Sequence, residues 1–228
     1  MPGTLVLATH GIVGGPGTAA RHAHAIRRRG GWAQVRVGCL KAQPSLAEAM
    51  AGAPGPVTVV PLLMSAGVIH GLMRRRLCEI APEGGWHLTV PVGADPRLAD
   101  LALARARACC RGIGWRPDGA SLLLVGHGTS RHSASADHAR GIAALLAGQG
   151  FAGVGHALLE DRPQPAEAAT ALPGTAVVVV GLFLDDGPHG DADVRVALRV
   201  IDRPVVYSGA IGADAGLVPL ILAQAAVQ

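Results

Sequence analysis

The chain has 228 residues, of which half are apolar and only 3% aromatic, and it carries a formal net charge of +4. No apolar run reaches the roughly eighteen residues that a transmembrane helix needs, and the first residues lack a basic segment before a cleavage site. We therefore expect neither a membrane span nor a signal peptide. The four cysteines show no CxxC spacing, which favours reduced thiols and a cytoplasmic protein.

Short Val- and Leu-rich runs alternate with Ala-, Leu- and Arg-rich segments along the whole chain. Runs such as VVVVGLFL at 177–184 are apolar on both faces, as buried strands of a parallel sheet are. They predict strands at 4–9, 34–40, 57–63, 87–92, 121–125, 153–159, 175–184 and 204–208. The segments between them predict helices at 17–29, 45–52, 71–80, 96–110, 133–148, 165–171, 191–200 and 214–226. This alternation indicates right-handed parallel crossovers and hence an α/β fold.

The second half of the chain repeats the first. His10 and His127 each end an apolar run and precede a glycine, and a second His-Gly step follows about sixty residues later, at His70 and His189. CLKAQPSLAEA at 39–49 also aligns with LLEDRPQPAEA at 158–168. We expect two similar flavodoxin- or Rossmann-like lobes produced by internal duplication, spanning 1–114 and 115–228.

Charge divides the two halves. Residues 1–116 carry a balance of +9 and residues 117–228 a balance of −5. The basic half lacks interleaved aromatic residues and any zinc-finger or RNP-like signature, which argues against a nucleic-acid partner. A small polyanionic ligand fits this half better. The alternative is that the arginine runs at 27–29 and 74–76 are solvated helix faces.

Three chemically related side chains follow three strands of the second half. Ligands of open α/β sheets bind beyond the carboxyl ends of the strands, where we expect His127, Glu160 and His189. Two imidazoles and a carboxylate suit a borderline divalent metal and can also accept protons. The first half aligns Lys41 with Glu160, and an ammonium group disfavours a bound dication. We therefore expect the second half to hold the active set.

Three motifs resemble the class II tetrapyrrole metal chelatases, in particular sirohydrochlorin chelatases of the CbiX/SirB type. They are LLLVGHGTS at 122–130, ALLEDRPQPAEA at 157–168 and VVVGLFLDDGPHGDADV at 178–194. The resemblance implies insertion of cobalt or ferrous iron into sirohydrochlorin for cobalamin or sirohaem biosynthesis, with nickel handled by shorter relatives. The metal would be a substrate, with no tightly bound cofactor. The same likeness makes His127, Glu160 and His189 metal ligands and proton acceptors.

The resemblance also carries expectations for the substrate and its neighbours. Thr129 and Ser130 would hold carboxylates of the tetrapyrrole, and His10 and His70 would contribute to substrate binding from the first half. In two-lobe relatives of the SirB type the active set is expected in the N-terminal half, so this chain reverses that arrangement. We expect a monomer or homodimer with no membrane or nucleic-acid partner.

Two other functions remain open on the sequence. One is a non-catalytic protein of the same fold that binds a tetrapyrrole or a metal. The other is an enzyme acting on a phosphate ligand through the Gly-rich turn at 10–17, although that turn does not match GxGxxG or GxxxxGK[ST].

Overall fold

The computed structural model describes residues 3–129 and 132–227. Its strands are, in chain order, β1 (Thr4–Thr9), β2 (Gln34–Cys39), β3 (Val57–Pro61), β4 (Trp86–Leu88), β5 (Ala120–Gly126), β6 (Gly153–Leu158), β7 (Ala176–Gly181) and β8 (Val205–Ala210). Its helices are α1 (Thr18–Arg29), α2 (Leu46–Met50), α3 (Val68–Ile80), α4 (Leu98–Ile113), α5 (Ala134–Leu146), α6 (Pro165–Ala171), α7 (Val194–Leu198) and α8 (Leu217–Ala226). Each predicted strand and helix is present, with small shifts of its ends.

Two four-stranded parallel sheets carry the fold, with strand orders β2-β1-β3-β4 and β6-β5-β7-β8. Each order is that of a flavodoxin-like sheet. The central strands β1, β5 and β7 are buried along their whole length, because helices cover both faces of each sheet. This explains why these runs are apolar without alternation. The predicted α/β class with two duplicated lobes is confirmed.

The two halves also share their helix starts. Ser45 begins α2 with a capping box in which its hydroxyl accepts from the Glu48 amide and Glu48 accepts from the Ser45 amide. Gln164 and Glu167 form the corresponding box at α6. Such reciprocal caps satisfy backbone donors that the first helical turn leaves free.

Helices α4 and α8 each pack in a different compact unit from the strands that precede them in sequence. The chain divides into one compact unit made of residues up to Asp95 with those from Ala215 onward, and a second unit, Pro96–Asp214. In the first unit α8 packs against β3 and α1, and in the second α4 packs against β7, β8 and α5. The boundary expected from the sequence, between 114 and 115, follows α4, whereas the compact units divide before α4. The sequence pattern shows where a helix begins and ends but not which sheet it covers.

Over the described residues, no helix has both the length and the hydropathy needed to cross a bilayer. In the described part of the chain, no disulfide joins the cysteines Cys39, Cys78, Cys109 and Cys110. Burial raises the pKa of the Cys109 and Cys110 thiols, which keeps them protonated and poorly reactive.

His138 of α5 makes the fold sensitive to acid. Among the described residues its Nε2 is a buried atom without a hydrogen-bond partner, and burial lowers its pKa from 6.5 to about 4. The folded chain therefore binds fewer protons at this site than the unfolded chain between these two pH values. The free energy of unfolding falls as pH drops through this window, by at most about 3 kcal/mol from this residue.

We predict that His138→Leu reduces this acid sensitivity, because leucine cannot take up a proton. Urea unfolding at pH 7 and pH 4.5 measures the difference for each protein. His24→Leu, at an exposed position of α1, is the control and should lose as much free energy of unfolding in acid as the parent. An equal loss in His138→Leu and the parent would contradict the prediction.

Candidate metal-ligand site

The candidate residues of the second unit follow the three adjacent strands β6, β5 and β7. His127 comes directly after β5, and Glu160 lies two residues after β6. His189 lies in a π-helical turn, Pro188–Asp193, which leads into α7. Because the strands are parallel and neighbouring, their carboxyl ends meet at one edge of the sheet.

The glycine after His127 permits this meeting. Gly128 has φ +75°, in the left-handed region that side chains disfavour, and a Cβ there would lie 2.8 Å from the Leu158 Cβ. Gly11 follows His10 in the same way, with φ +87° and a virtual Cβ 2.6 Å from the Ala42 Cβ. The repeated His-Gly step thus marks a place where the chain turns closely against the loop after the neighbouring strand.

In each unit a backbone hydrogen bond places one residue of the loop after the neighbouring strand beside the histidine. The Glu160 amide donates to the His127 carbonyl at 2.8 Å, and the Lys41 amide donates to the His10 carbonyl at 3.0 Å. The equivalence of Lys41 and Glu160 that the alignment predicts is therefore present in the backbone. The second unit has a carboxylate beside its histidine, and the first unit has an ammonium group.

The structure brings His127, Glu160 and His189 together. His127 Nδ1 lies 3.7 Å from Glu160 Oε2, and the rings of His127 and His189 meet edge to face with centroids 4.7 Å apart and planes at 68°. The three side chains are between 39% and 58% exposed. They form a cluster that a ligand can reach from solvent.

Both imidazoles present Nε2 as the atom that can bind a ligand. His127 Nδ1 lies 2.9 Å from the Gly128 carbonyl, and His189 Nδ1 lies 2.7 Å from Asp193 Oδ2. A carbonyl or carboxylate oxygen only accepts, so each Nδ1 carries the hydrogen and each neutral ring keeps its lone pair on Nε2. Holding one ring nitrogen in this way is how proteins orient metal-binding histidines.

The cluster is not a closed metal site. Among the residues that the structure describes, no group of three His, Cys, Asp or Glu side chains has the spacing of a ready ligand set. A shared ion would have to draw the imidazoles and the Glu160 carboxylate closer. An open set of this kind suits a metal that arrives and leaves as a substrate, since structural sites are fully coordinated.

The first unit does not reproduce this cluster, because the histidine that follows β3 lies one residue further along the chain than the histidine that follows β7. Pro61 of β3 occupies the place of Gly181 in β7, since they pair with the equivalent residues Ala8 and Val125. Counting onward, His70 corresponds to Gly190, and the position of His189 is held by Ile69. One residue along a helix turns a side chain by about 100°, so the two histidines point differently.

The π-helical turn adds a second difference. The buried residues Met73 and Leu77 of α3 align with the buried residues Val194 and Leu198 of α7. The number of residues between the members of each pair is larger by one than the number between Pro61 and Gly181. A π turn accommodates one extra residue within a helix. The second unit therefore inserts a residue where His189 lies.

His70 forms a hydrogen bond with the Thr89 backbone of its own unit. Its Nε2 is buried without a hydrogen-bond partner among the described residues. Burial lowers the pKa of His70, with a smaller lowering from Arg74, while a hydrogen bond to the Thr89 backbone raises it. No ring contact or ion pair joins His10 and His70 in the described part of the chain.

Of the two remaining predicted residues, Thr129 follows Gly128 and is partly buried. Ser130 falls outside the described residues.

Two contacts near the site were not predicted from the sequence, in which Asp193 is only one member of an acidic run at 185–193 that could gather the hydrated metal. Asp193 holds His189, and its position four residues later on one helical face is the signal that predicts such a pair. Tyr207 of β8 donates a hydrogen bond to the Gly190 carbonyl. Nothing in the sequence indicates that contact, because it depends on the pairing of β7 with β8.

We predict that Gly128→Ala destabilises the chain more than Gly148→Ala. Both glycines have φ +75°, but a Cβ at Gly148 meets nothing within 4 Å. The control therefore measures the cost of the left-handed backbone alone, about 1 kcal/mol. Gly128→Ala should cost about 1–3 kcal/mol more through crowding against Leu158, as measured by urea unfolding. Equal losses would show that the close approach of the two loops is unimportant.

Comparison with known proteins gives the relatives of this chain. The CbiX family profile matches residues 4–109 and again residues 121–227. A probable sirohydrochlorin cobaltochelatase of Halobacterium salinarum is 26% identical over 265 residues, covering 97% of this chain and 90% of the relative.

Two solved structures share the fold. The structure of CbiX, described as the terminal enzyme for biosynthesis of siroheme in denitrifying bacteria, has a TM-score of 0.78 at 24% identity and covers 99% of this chain and 100% of its own. A multi-domain protein of Deinococcus radiodurans with structural similarity to chelatases has a TM-score of 0.73 at 24% identity, covering 98% of this chain. This chain spans 54% of that protein's length.

The family profile covers nearly the whole chain, once for each half, and so agrees with the repeated strand order. The chain belongs to the CbiX family.

Proposed function

We propose that the chain is a sirohydrochlorin chelatase whose active set is His127, Glu160 and His189 in the second unit. The observation that carries this proposal is the meeting of two imidazole rings and one carboxylate at the carboxyl edge of a single sheet. Membership of the CbiX family and the name of the Halobacterium relative support sirohydrochlorin as the tetrapyrrole.

The proposed chemistry has two requirements that these groups meet. A divalent metal enters the macrocycle when two pyrrole N–H protons leave, and the metal must pass from protein ligands to four ring nitrogens. An imidazole with a free Nε2 can bind the metal or accept a proton, and the Glu160 carboxylate can do either. Lys41 in the first unit can bind no metal while it is protonated, so we assign the reaction to the second unit.

Cobalt is our preferred metal, with ferrous iron next. The Halobacterium relative is named for cobalt, whereas the CbiX structure is described through siroheme, an iron product. Imidazole and carboxylate accept cobalt, nickel and ferrous iron alike. The ligand set supports a divalent transition metal as substrate and no resident cofactor.

Several further assignments belong to the same proposal. Thr129 and Ser130 would bind carboxylates of the tetrapyrrole, and His10 and His70 would contribute from the first unit. The chain would act in the cytoplasm as a monomer or homodimer, without a nucleic-acid or membrane partner. A chain whose described residues form no disulfide is consistent with a reducing compartment.

A non-catalytic protein that binds a tetrapyrrole or a metal is the second candidate. It would use the same cluster, and the absence of a ready three-ligand group in the described residues is compatible with it. Turnover separates the two functions, because a carrier binds sirohydrochlorin without converting it.

We predict that His127→Ala and Glu160→Gln each lower the rate of metal insertion by at least about 100-fold, since each loses a ligand or proton acceptor. His10→Ala should cost less than about 10-fold, because its neighbour is Lys41. The change in sirohydrochlorin absorbance with Co²⁺ measures the rate. Equal losses in the two halves would refute assignment to the second unit, and a parent without turnover would favour the carrier.

A second prediction concerns the metal. Insertion rates with Co²⁺, Fe²⁺ and Ni²⁺, measured anaerobically side by side, should be highest for Co²⁺, with Fe²⁺ second. All three should fall together in Glu160→Gln, because the ligands do not discriminate among these ions. A parent that inserts Ni²⁺ fastest would contradict the preferred order.

A further inference from the structure

Strand β8 contacts the His189 turn at the residue next to the histidine. The Tyr207 hydroxyl donates to the Gly190 carbonyl. Gly190 is buried, and a Cβ there would overlap the Asp185 carbonyl, so the turn passes close to its own start. The carbonyl that Tyr207 binds therefore belongs to the residue that lies against the Asp185 carbonyl.

The second unit makes room for this hydroxyl, and the first unit has no counterpart. A Cβ at Gly181 would overlap Tyr207 Oη, so a glycine in β7 is needed there. Pairing of β3 with β4 places Leu88 opposite Val59, and pairing of β7 with β8 places Tyr207 opposite Val179. In the first unit, Leu88 thus takes the place of Tyr207, and Pro61 takes the place of Gly181. This is also the unit in which α3 begins without a π turn.

Arg195 joins the tyrosine to the turn by a second route. Its guanidinium carbon lies 5.6 Å from the centre of the Tyr207 ring, a distance at which a cation is attracted to an aromatic face. Its Nε donates to Asp191 Oδ1 at 2.6 Å. Asp191 lies within the π-helical turn, so Arg195 links the ring to the side of the turn that follows His189.

The segment before His189 is fixed to the same strand. The Ala210 amide of β8 donates to Asp186 Oδ1 at 2.6 Å. Strand β8 therefore holds the chain both three residues before His189 and one residue after it. Of these contacts, only that of Tyr207 reaches the backbone beside the histidine.

The surroundings of Tyr207 favour its protonated hydroxyl. Burial raises the pKa of Tyr207 well above its usual value, and the carboxylates of Asp186 and Asp191 raise it further. The hydroxyl keeps its hydrogen, and the Gly190 carbonyl can only accept it.

We propose that Tyr207 is a positioning residue that holds the π-helical turn at Gly190 and thereby directs His189 towards His127. The inference rests on the proposed function for its catalytic consequence. If the turn relaxed to a regular α-helix, His189 would rotate about the helix axis by about 100° and leave His127. The hydroxyl contact opposes that rotation because an α-helical turn would move the Gly190 carbonyl away from β8.

The test is Tyr207→Phe, which keeps the ring against Arg195 and removes only the donor. Two measurements need no tetrapyrrole. Titration with Co²⁺ alone should show a Kd about 10-fold higher than the parent's, as expected when an orienting contact of a metal ligand is lost. Long-range ¹H–¹⁵N spectra of the histidine side chains should show the His189 signals moving away from those of a single Nδ1–H tautomer.

The kinetic consequence separates positioning from a general loss of structure. In Tyr207→Phe, kcat for cobalt insertion should fall about 10-fold while KM for sirohydrochlorin stays within about twofold. Arg195→Met should shift the Co²⁺ affinity in the same direction by less. Arg140→Met is the control, because it removes a comparable exposed ion pair with Asp137 in α5, and it should match the parent.

Three outcomes decide the matter. Parent-like Co²⁺ affinity and parent-like His189 signals in folded Tyr207→Phe would overturn the positioning role. If Tyr207→Phe does not fold, a parent-like Arg195→Met would overturn it equally. A parent that inserts no metal, together with the expected changes in Co²⁺ affinity and histidine spectra, would overturn the proposed function and leave the positioning role supported.

Discussion

The left-handed turn after the central strand of each sheet decides what the rest of the site can be. At Gly128 the chain bends closely against the loop that follows β6, and no residue with a Cβ fits without displacing Leu158. That approach lets the Glu160 amide bind the His127 carbonyl. Backbone geometry therefore places residue 160 beside residue 127, and their side chains decide that a carboxylate meets an imidazole there. The same turn at Gly11 places Lys41 beside His10, so one architecture supports two opposite electrostatic outcomes.

Much of this could be predicted from residue patterns, for identifiable reasons. Strands such as β5 and β7 are buried on both faces, which gives continuous apolar runs, and the His-Gly steps at His10 and His127 mark the left-handed turns. The meeting of His127, Glu160 and His189 follows from parallel strands that share an edge. The sequence alignment of His70 with His189 is wrong by one residue, because His70 aligns with Gly190 in the structure. One residue more or less changes the direction in which a helical side chain points, although the two sequence motifs look alike. Tyr207 and its contact with Gly190 depend on strand pairing, which local patterns do not contain.

The asymmetry between the units has several independent parts. Lys41 replaces a carboxylate, Ile69 stands where the second unit has His189, and the helix after β3 lacks the inserted residue of the π turn. Reversing any one of these would leave the others in place. The second unit reaches its geometry through a glycine in β7 and a tyrosine in β8 that fit each other. A duplicated fold has thus kept two similar scaffolds while the side-chain chemistry at their strand ends has diverged.

The exchange of α4 and α8 bears on how the chain is completed during synthesis. The second unit is continuous in sequence, so its strands and helices leave the ribosome one after another without interruption. The first unit holds β1 to β4 early but receives α8, with its buried Leu217, Val218 and Ile221, only after the whole second unit has been made. The half of the protein that is translated first is therefore the last to cover its apolar sheet. Until then β3 lacks the helix that packs against it, and exposed apolar surface of this kind makes an incomplete chain prone to aggregation.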